Sequence, residues 1–154
     1  MSILERLEEL GLTLPEPPQP AGSYVPALKS GNLLFLSGIL PFKDGRLLFE
    51  GIVGEEVSIE DAQEASKQVV LNALAIVDAA EGLNNIVRVV RMNGYIASSK
   101  GFYRHPEVLN PASELLRDIF GEVGVHTRIA VGVYSLPLNS PVEMDFIFQV
   151  ATVR

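Results

Sequence analysis

The stretch that decides the fold lies near the carboxyl end: His126-Thr127-Arg128-Ile129-Ala130-Val131-Gly132-Val133-Tyr134, and then Val142-Glu143-Met144-Asp145-Phe146-Ile147-Phe148-Gln149-Val150. In both segments apolar side chains recur at every second position, which is the period of a β-strand. We therefore predict two strands, over residues 126–134 and 142–152. The connection between them holds Pro137 and Pro141, as expected for a loop.

Working outward, the remaining elements follow from caps, turn residues and apolar spacing. Residues 1–11 predict an acidic amphipathic helix, residues 33–36 and 86–96 predict strands, and residues 42–54 predict a loop with a small hairpin. Ser58 and Asp61 have capping-box spacing at the start of a long helix that Gly82 ends. Asn110 and Pro111 predict the start of another helix, with an earlier turn possible from Pro106, and Gly121 ends it.

The order of these elements predicts an α+β fold. Because runs of strands adjoin one another, we expect a mixed or mostly antiparallel sheet with two helices packed on one face. The length of 154 residues fits a single domain. In this domain, residues 1–20 hold the amino-terminal helix and a proline-rich connector, and residues 21–154 form the core.

The strand around Arg128 has two different faces. The apolar row of Thr127, Ile129, Val131 and Val133 is expected to face the helices. The opposite row places Arg128 beside the small residues Ala130 and Gly132, which would leave a hollow with a cation at its edge. An arginine fork matches a carboxylate through two parallel hydrogen bonds, so Arg128 is a candidate anchor for a small acid. The alternative is a surface arginine, with the small residues packing against a neighbouring subunit.

The last strand also carries two informative rows. Its polar row contains Glu143, which could position or deprotonate a water; the alternative is an ordinary outward carboxylate, and that alternative is stronger for Asp145. Ile147 lies in the same row, so both faces of the sheet carry apolar residues. Helices on one side of one chain cannot cover both faces, which predicts a homo-oligomer.

Composition restricts the function further. The net charge of −7 argues against non-specific binding to nucleic acid or to anionic membranes. There is no cysteine, no metal-ligand spacing and no phosphate-binding glycine loop, so neither a cofactor nor a metal is expected. His105 and His126 are the two histidines, and each is interpreted as a loop or rim residue. No secretion signal or membrane-spanning run is recognisable, which favours a cytoplasmic location.

Several segments together resemble the Rid family, the reactive intermediate deaminases, also called YjgF or L-PSP endoribonuclease. They are Ala21-Gly22-Ser23-Tyr24-Val25-Pro26-Ala27, Leu36-Ser37-Gly38-Ile39-Leu40-Pro41, Thr127-Arg128-Ile129-Ala130-Val131, Leu136-Pro137 and Val142-Glu143-Met144. The resemblance implies a chorismate-mutase-like fold, assembled as a homotrimer with clefts between subunits. It also implies hydrolysis of enamine and imine intermediates, derived from amino acids, to 2-keto acids and ammonia.

The resemblance also assigns roles to residues. Arg128 resembles the arginine that binds the substrate carboxylate, and Glu143 resembles the glutamate associated with the water. Tyr24 and Ser37 resemble residues that line the cleft. Either Asn110 or Ser113 takes the place of a cleft asparagine. Ala130 stands where many members carry a cysteine, so that its backbone can contribute and a thiol cannot.

Three functions therefore compete. The first is the imine deaminase, of the 2-iminobutanoate/2-iminopropanoate type. The second is a non-catalytic binder or sensor of small carboxylic acids that uses the same pocket. The third is RNA cleavage or inhibition of translation, as the older family label says, against which the acidic net charge argues.

Overall fold

The structure, a computed structural model, describes residues 1–20 and 22–152. Ala21, Val153 and Arg154, which belong to the predicted core, lie outside the described residues. Three α-helices are formed, α1 (Ile3–Glu9), α2 (Ile59–Ala80) and α3 (His105–Phe120). The strands are β1 (Ala27–Ser30), β2 (Leu33–Leu36), β3 (Phe42–Lys43), β4 (Arg46–Leu47), β5 (Ile86–Ala97), β6 (Thr127–Val133) and β7 (Val142–Val150).

The main sheet has five strands in the order β1-β2-β7-β5-β6. β5 and β6 run parallel and are joined through α3, while the other neighbours pair antiparallel. The predicted α+β fold with a mixed sheet is confirmed. α2 and α3 pack on one face of this sheet, and α1 contacts α3. The core between sheet and helices includes Phe146, Phe148, Leu74 and Leu116.

The predicted boundaries of α2 are confirmed by its caps. The Ser58 hydroxyl accepts a 3.1 Å hydrogen bond from the amide of Asp61, which satisfies one of the free donors of the first turn. At the other end Gly82 adopts φ +85°, a conformation that a side chain would strain. The small hairpin expected within residues 42–54 is also formed, by β3 and β4.

The start of α3 predicted at Asn110 is wrong, whereas the alternative of an earlier turn from Pro106 agrees with the observed start to within one residue. The helix begins at His105, so Asn110 is not its cap and Pro111 lies inside it. A proline there leaves the carbonyl four residues earlier without its helical donor. That carbonyl, on Glu107, instead accepts a 2.8 Å hydrogen bond from the side-chain amide of Gln63 on α2. This contact between the helices offsets the hydrogen bond that the proline removes.

The orientation predicted for β6 is also wrong. Arg128 is paired with Met92 of β5, which is fully buried beneath the helices, and Ile129 is paired with Asn93 on the opposite face. The row with Arg128, Ala130 and Gly132 therefore faces α3, and the apolar row faces away. His105 bounds the predicted hollow, because a Cβ on Gly132 would lie 2.5 Å from His105 Nε2, but Gly132 itself is exposed and lines a cavity away from Arg128. Hydrophobicity could not identify the helix side, since both rows contain small or apolar residues.

One strand, β1, was not predicted at all. It spans four residues and is largely exposed, so it has no apolar row of its own. Its register places Leu28 opposite Phe35 of β2.

The sheet face that points away from α2 and α3, called the open face below, carries exposed apolar side chains. Leu28 is 63% exposed, Phe35 40% and Ile129 44%. Polar residues also occupy it: Asp145 accepts hydrogen bonds from Asn93 Nδ2 and from the Tyr95 hydroxyl, at 2.8 and 3.1 Å. No helix among the described residues is long and apolar enough to cross a membrane.

Candidate functional site

Arg128 lies under the middle of α3, and neutral acceptors on that helix hold its guanidinium. Nη2 donates to Asn110 Oδ1 at 2.7 Å and, at the longer distance of 3.4 Å, to the carbonyl of Pro106. Nη1 donates to the Ser113 hydroxyl at 3.0 Å. None of the ion pairs among the described residues involves Arg128. Neutral groups therefore hold the guanidinium in place, and within the described part of the chain no ion pair compensates its charge.

Two further hydrogen bonds, made by His126, orient Ser113. His126 Nδ1 lies 2.6 Å from the carbonyl of Gly124, an acceptor, so Nδ1 carries the proton and Nε2 is an acceptor. Ser113 Oγ lies 2.9 Å from Nε2 and donates to it. Burial lowers the pKa of His126, and the charge of Arg128 adds to this effect, although the hydrogen bond to the Gly124 carbonyl opposes it. The lowered pKa favours the neutral ring. Since its proton is engaged, the Ser113 oxygen can offer its lone pairs to Arg128.

Arg128 opens into a cavity of about 420 Å³ that it shares with residues of α3 and of the following turn. The other lining residues are Asn110, Ser113, Glu114, Arg117, Val125 and His126. Ala130 packs against the core. The structure thus brings together Arg128 with both candidates for the cleft asparagine, Asn110 and Ser113.

Glu143 lies on the open-face row of β7, close to the segment that follows β2. The backbones of Ile39 and Met144 pair there, with N–O distances of 2.8 and 3.1 Å, and bring Gly38 against the carboxylate. A Cβ on Gly38 would lie 2.9 Å from Glu143 Oε2, so only glycine allows this approach. Burial, and to a smaller extent the nearby charge of Asp145, raises the pKa of Glu143.

Tyr24 and Ser37 line the cavity next to Glu143, which measures about 410 Å³. The Ser37 hydroxyl donates to the carbonyl of Val25 at 2.6 Å, and its amide donates to the carbonyl of Pro26 at 3.0 Å. Ser37 therefore holds the segment that follows Tyr24 against the end of β2. The predicted residues Tyr24, Ser37 and Glu143 form this second cluster.

Within one chain the two clusters are separate. The side chain of Arg128 projects from the face that carries the helices, and that of Glu143 projects from the open face. Each of the two side chains lines a different cavity. A ligand that touches both residues must lie between two copies of the chain. No group of three or more metal-ligating side chains is found in residues 1–20 and 22–152.

Sequence reasoning missed three features of these clusters. His126, interpreted as a loop or rim residue, is the partner of Ser113, although the two are 13 positions apart. Gly38 was quoted only as part of a motif, while its absent side chain is what admits Glu143. Pro18 and Pro20 of the connector line the Glu143 cavity, for which the sequence holds no recognisable signal.

Comparison with known proteins agrees with this architecture. A family model described as "YjgF/chorismate_mutase-like, putative endoribonuclease" matches residues 4–150. The crystal structure of the Agrobacterium tumefaciens protein Atu1372, of unknown function, has a TM-score of 0.88 at 43% identity, covering 96% of this chain and 91% of that one. Protein TCP17 of Trypanosoma cruzi is 37% identical over 93% of this chain and 91% of its own. A 2-iminobutanoate/2-iminopropanoate deaminase of Dermatophagoides farinae is 26% identical over 88% of this chain and 92% of its own.

The mixed sheet with its helices on one face defines an α+β protein of the YjgF/chorismate-mutase-like fold. The chain belongs to the YjgF family, the group that the sequence motifs resemble under the name Rid.

Proposed function

We propose that the protein hydrolyses imines and enamines derived from amino acids to 2-keto acids and ammonia, in clefts between copies of the chain. The observation that carries the proposal is the guanidinium of Arg128, which is held by neutral acceptors and faces a cavity. A buried or half-buried cation without an acidic partner is a strong site for a carboxylate. One relative, the mite protein, is named as such a deaminase.

In this mechanism Arg128 binds the substrate carboxylate and thereby orients the C=N carbon. Glu143 of a second copy holds a water against that carbon. An enamine first becomes the imine by taking a proton at its β-carbon and losing one from nitrogen. The water oxygen then bonds to the C=N carbon as the electron pair moves to nitrogen, and the proton that the water loses passes to that nitrogen, which gives a carbinolamine. Its C–N bond breaks as the hydroxyl proton passes to the nitrogen, so that ammonia leaves and the 2-keto acid remains. Because imines hydrolyse readily, positioning supplies most of the rate gain.

The assembly we propose is a homotrimer. Its support is the open face, where Leu28, Phe35 and Ile129 are exposed on one side of the sheet. Leu28 and Phe35 are cross-strand neighbours and Ile129 lies on the opposite edge strand, so exposed apolar side chains occur at both edges of this face and favour self-association. Light scattering in solution tests the assembly: a mass of three chains is expected, and a monomer would contradict it.

RNA cleavage, the other activity that the family description names, has less support. His105 and His126 line different cavities, so one chain does not pair them as acid and base. The net charge of −7 also repels a polyanion.

The experiment that tests the proposal generates 2-aminoacrylate in situ and follows its conversion to pyruvate. We expect wild-type protein to accelerate the conversion and Arg128→Ala to abolish the acceleration. Equal rates for the two proteins would rule the proposal out. Saturable binding of 2-keto acids without turnover would instead support the non-catalytic carboxylic-acid sensor.

A further inference from the structure

The cavity beside Glu143 has mostly apolar walls. Pro18 and Pro20 of the connector form one side, and Ile39, Leu40, Ile76 and Leu138 contribute to the others. Glu143 is the one carboxylate that lines it. At about 410 Å³ the cavity lies within the range of small-molecule sites, about 300–1,000 Å³. It offers far more apolar surface than a methyl group can contact.

One wall is fixed from inside the protein. Asn72 of α2 is 1% exposed, and its Nδ2 donates to the carbonyls of Leu40 and Phe42 at 3.2 and 2.9 Å. Its Oδ1 accepts a 3.0 Å hydrogen bond from Gln68, so the buried amide is well satisfied. These contacts hold the segment that carries Leu40 in place.

The connector wall is fixed by different means. Leu12 and Leu14, which precede it, pack against the hydrophobic core. Prolines at positions 15, 17, 18 and 20 then restrict the backbone torsions of the segment. A wall with so little conformational freedom loses little entropy when a ligand binds.

We propose that this cavity receives the substrate's side chain, so that the protein prefers imino and oxo acids with branched aliphatic or aromatic side chains over those with a methyl or ethyl group. The inference rests on the proposed function, which puts the reacting carbon next to Glu143. Pro18 and Pro20 are its specificity-determining residues. Each additional buried methylene strengthens binding by about fourfold.

The test measures the affinity of the full-length protein for four 2-oxo acids by calorimetry: pyruvate, 2-oxobutanoate, 4-methyl-2-oxopentanoate and phenylpyruvate. We expect 4-methyl-2-oxopentanoate and phenylpyruvate to bind at least about tenfold more tightly than pyruvate. Equal affinities, or tightest binding of pyruvate, would overturn the inference, as would no binding of any of the four.

Variants of the connector make the test specific. In the double variant Pro18→Ala/Pro20→Ala the ratio of affinities for 4-methyl-2-oxopentanoate and pyruvate should fall at least about threefold. The matched control is Pro15→Ala, because Pro15 lines the neighbouring cavity with Asp44 and Gly45. An unchanged ratio of affinities in the double variant would overturn the assignment of Pro18 and Pro20 as specificity-determining residues. Leu138→Ala, on another wall and 62% exposed, provides a second variant that should also lower the ratio if the double variant fails to fold.

Turnover of the corresponding imines separates this inference from the proposed function. Fast turnover of 2-aminoacrylate, with no higher kcat/KM for imines that have larger side chains, would support the deaminase activity and overturn the proposed side-chain pocket. Graded binding of the oxo acids without turnover of any imine would support the pocket and contradict the deaminase.

Discussion

The side chains of Arg128 and Glu143 project from opposite faces of the same sheet. Both residues pair with β5. Arg128 is opposite Met92, which is buried beneath the helices. Glu143 is opposite Tyr95, which is three positions after Met92 and therefore on the other face of the sheet. Neither cavity contains both residues. A catalytic site that uses the two together therefore has to be shared between chains, and this requirement connects the assembly of the protein to its chemistry.

Replacing Arg128 by lysine should impair the proposed reaction even though the charge is kept. Lysine presents a point charge instead of a planar fork. Its single nitrogen has to serve Asn110, Ser113 and the ligand together, and it cannot give a carboxylate two parallel hydrogen bonds. A hydrogen bond to a charged group contributes about 1.5–3 kcal/mol, so kcat/KM should fall by about 10- to 100-fold. The control is Arg46→Lys in the exposed β3–β4 hairpin, which should leave the rate unchanged.

The pH profile should report the raised pKa of Glu143. Because the carboxylate form holds the water, activity should decrease as the pH falls through this pKa. Asp145 contributes to the elevation, so Asp145→Asn should lower the pKa of Glu143 and move the acid limb of kcat to lower pH. A profile that stays in place, or that moves upward, would contradict this role. The Glu143→Gln variant should lose most of the activity, and its remaining activity should no longer decrease at acid pH.

Substitution of Gly38 should affect activity more than stability. In Gly38→Ala the new methyl group would lie 2.9 Å from Glu143 Oε2, and the flexible carboxylate would have to move. Displacement of a catalytic group by a fraction of an ångström to an ångström can cost about tenfold or more in rate. We expect kcat to fall while the thermal unfolding midpoint hardly changes. An unfolding midpoint that falls in parallel with activity would show that the position matters for folding instead.

The Ser113–His126 pair should strengthen carboxylate binding through Arg128. In His126→Phe the Ser113 hydroxyl loses its acceptor and can turn to a carbonyl of its own helix, as helical serines do. The loss of a hydrogen bond of about 1 kcal/mol should weaken binding of 2-oxobutanoate by about fivefold. Ser113→Ala should have a similar effect, and the double variant should be no worse than either single one.

The matched control for that pair is Ser98→Ala. Ser98 Oγ and His105 Nε2 are also 2.9 Å apart, but they line a different cavity. Removing the Ser98 hydroxyl should leave carboxylate binding unchanged. Weakening by both serine variants to the same extent would show that the effect is not specific to the Arg128 cluster.

Local sequence signals were sufficient where the structure depends on local contacts. The Ser58 cap and the Gly82 stop define α2, and the alternating residues of β6 and β7 define those strands, because each signal acts within a few residues. The motifs likewise pointed to Arg128, Glu143, Tyr24 and Ser37, all of which line cavities.

The features that could not be predicted depend on contacts distant in sequence. Within α3, Pro111 leaves the Glu107 carbonyl without its helical donor, and Gln63, 44 positions before Glu107, supplies a replacement. The two rows of β6 could not be assigned, since the open face of this sheet is also apolar. The pairing of Ser113 with His126 required the path of the chain from α3 through the turn to β6.

The shared site is tested most directly by mixing two inactive variants. Arg128→Ala and Glu143→Gln proteins are unfolded together, refolded as mixed assemblies and assayed with 2-aminoacrylate. A site that takes its arginine from one chain and its glutamate from another should recover about one quarter of the wild-type activity at equal mixing. Variants that are each inactive and stay inactive after mixing, under conditions where wild-type protein refolds to full activity, would contradict a site shared between chains.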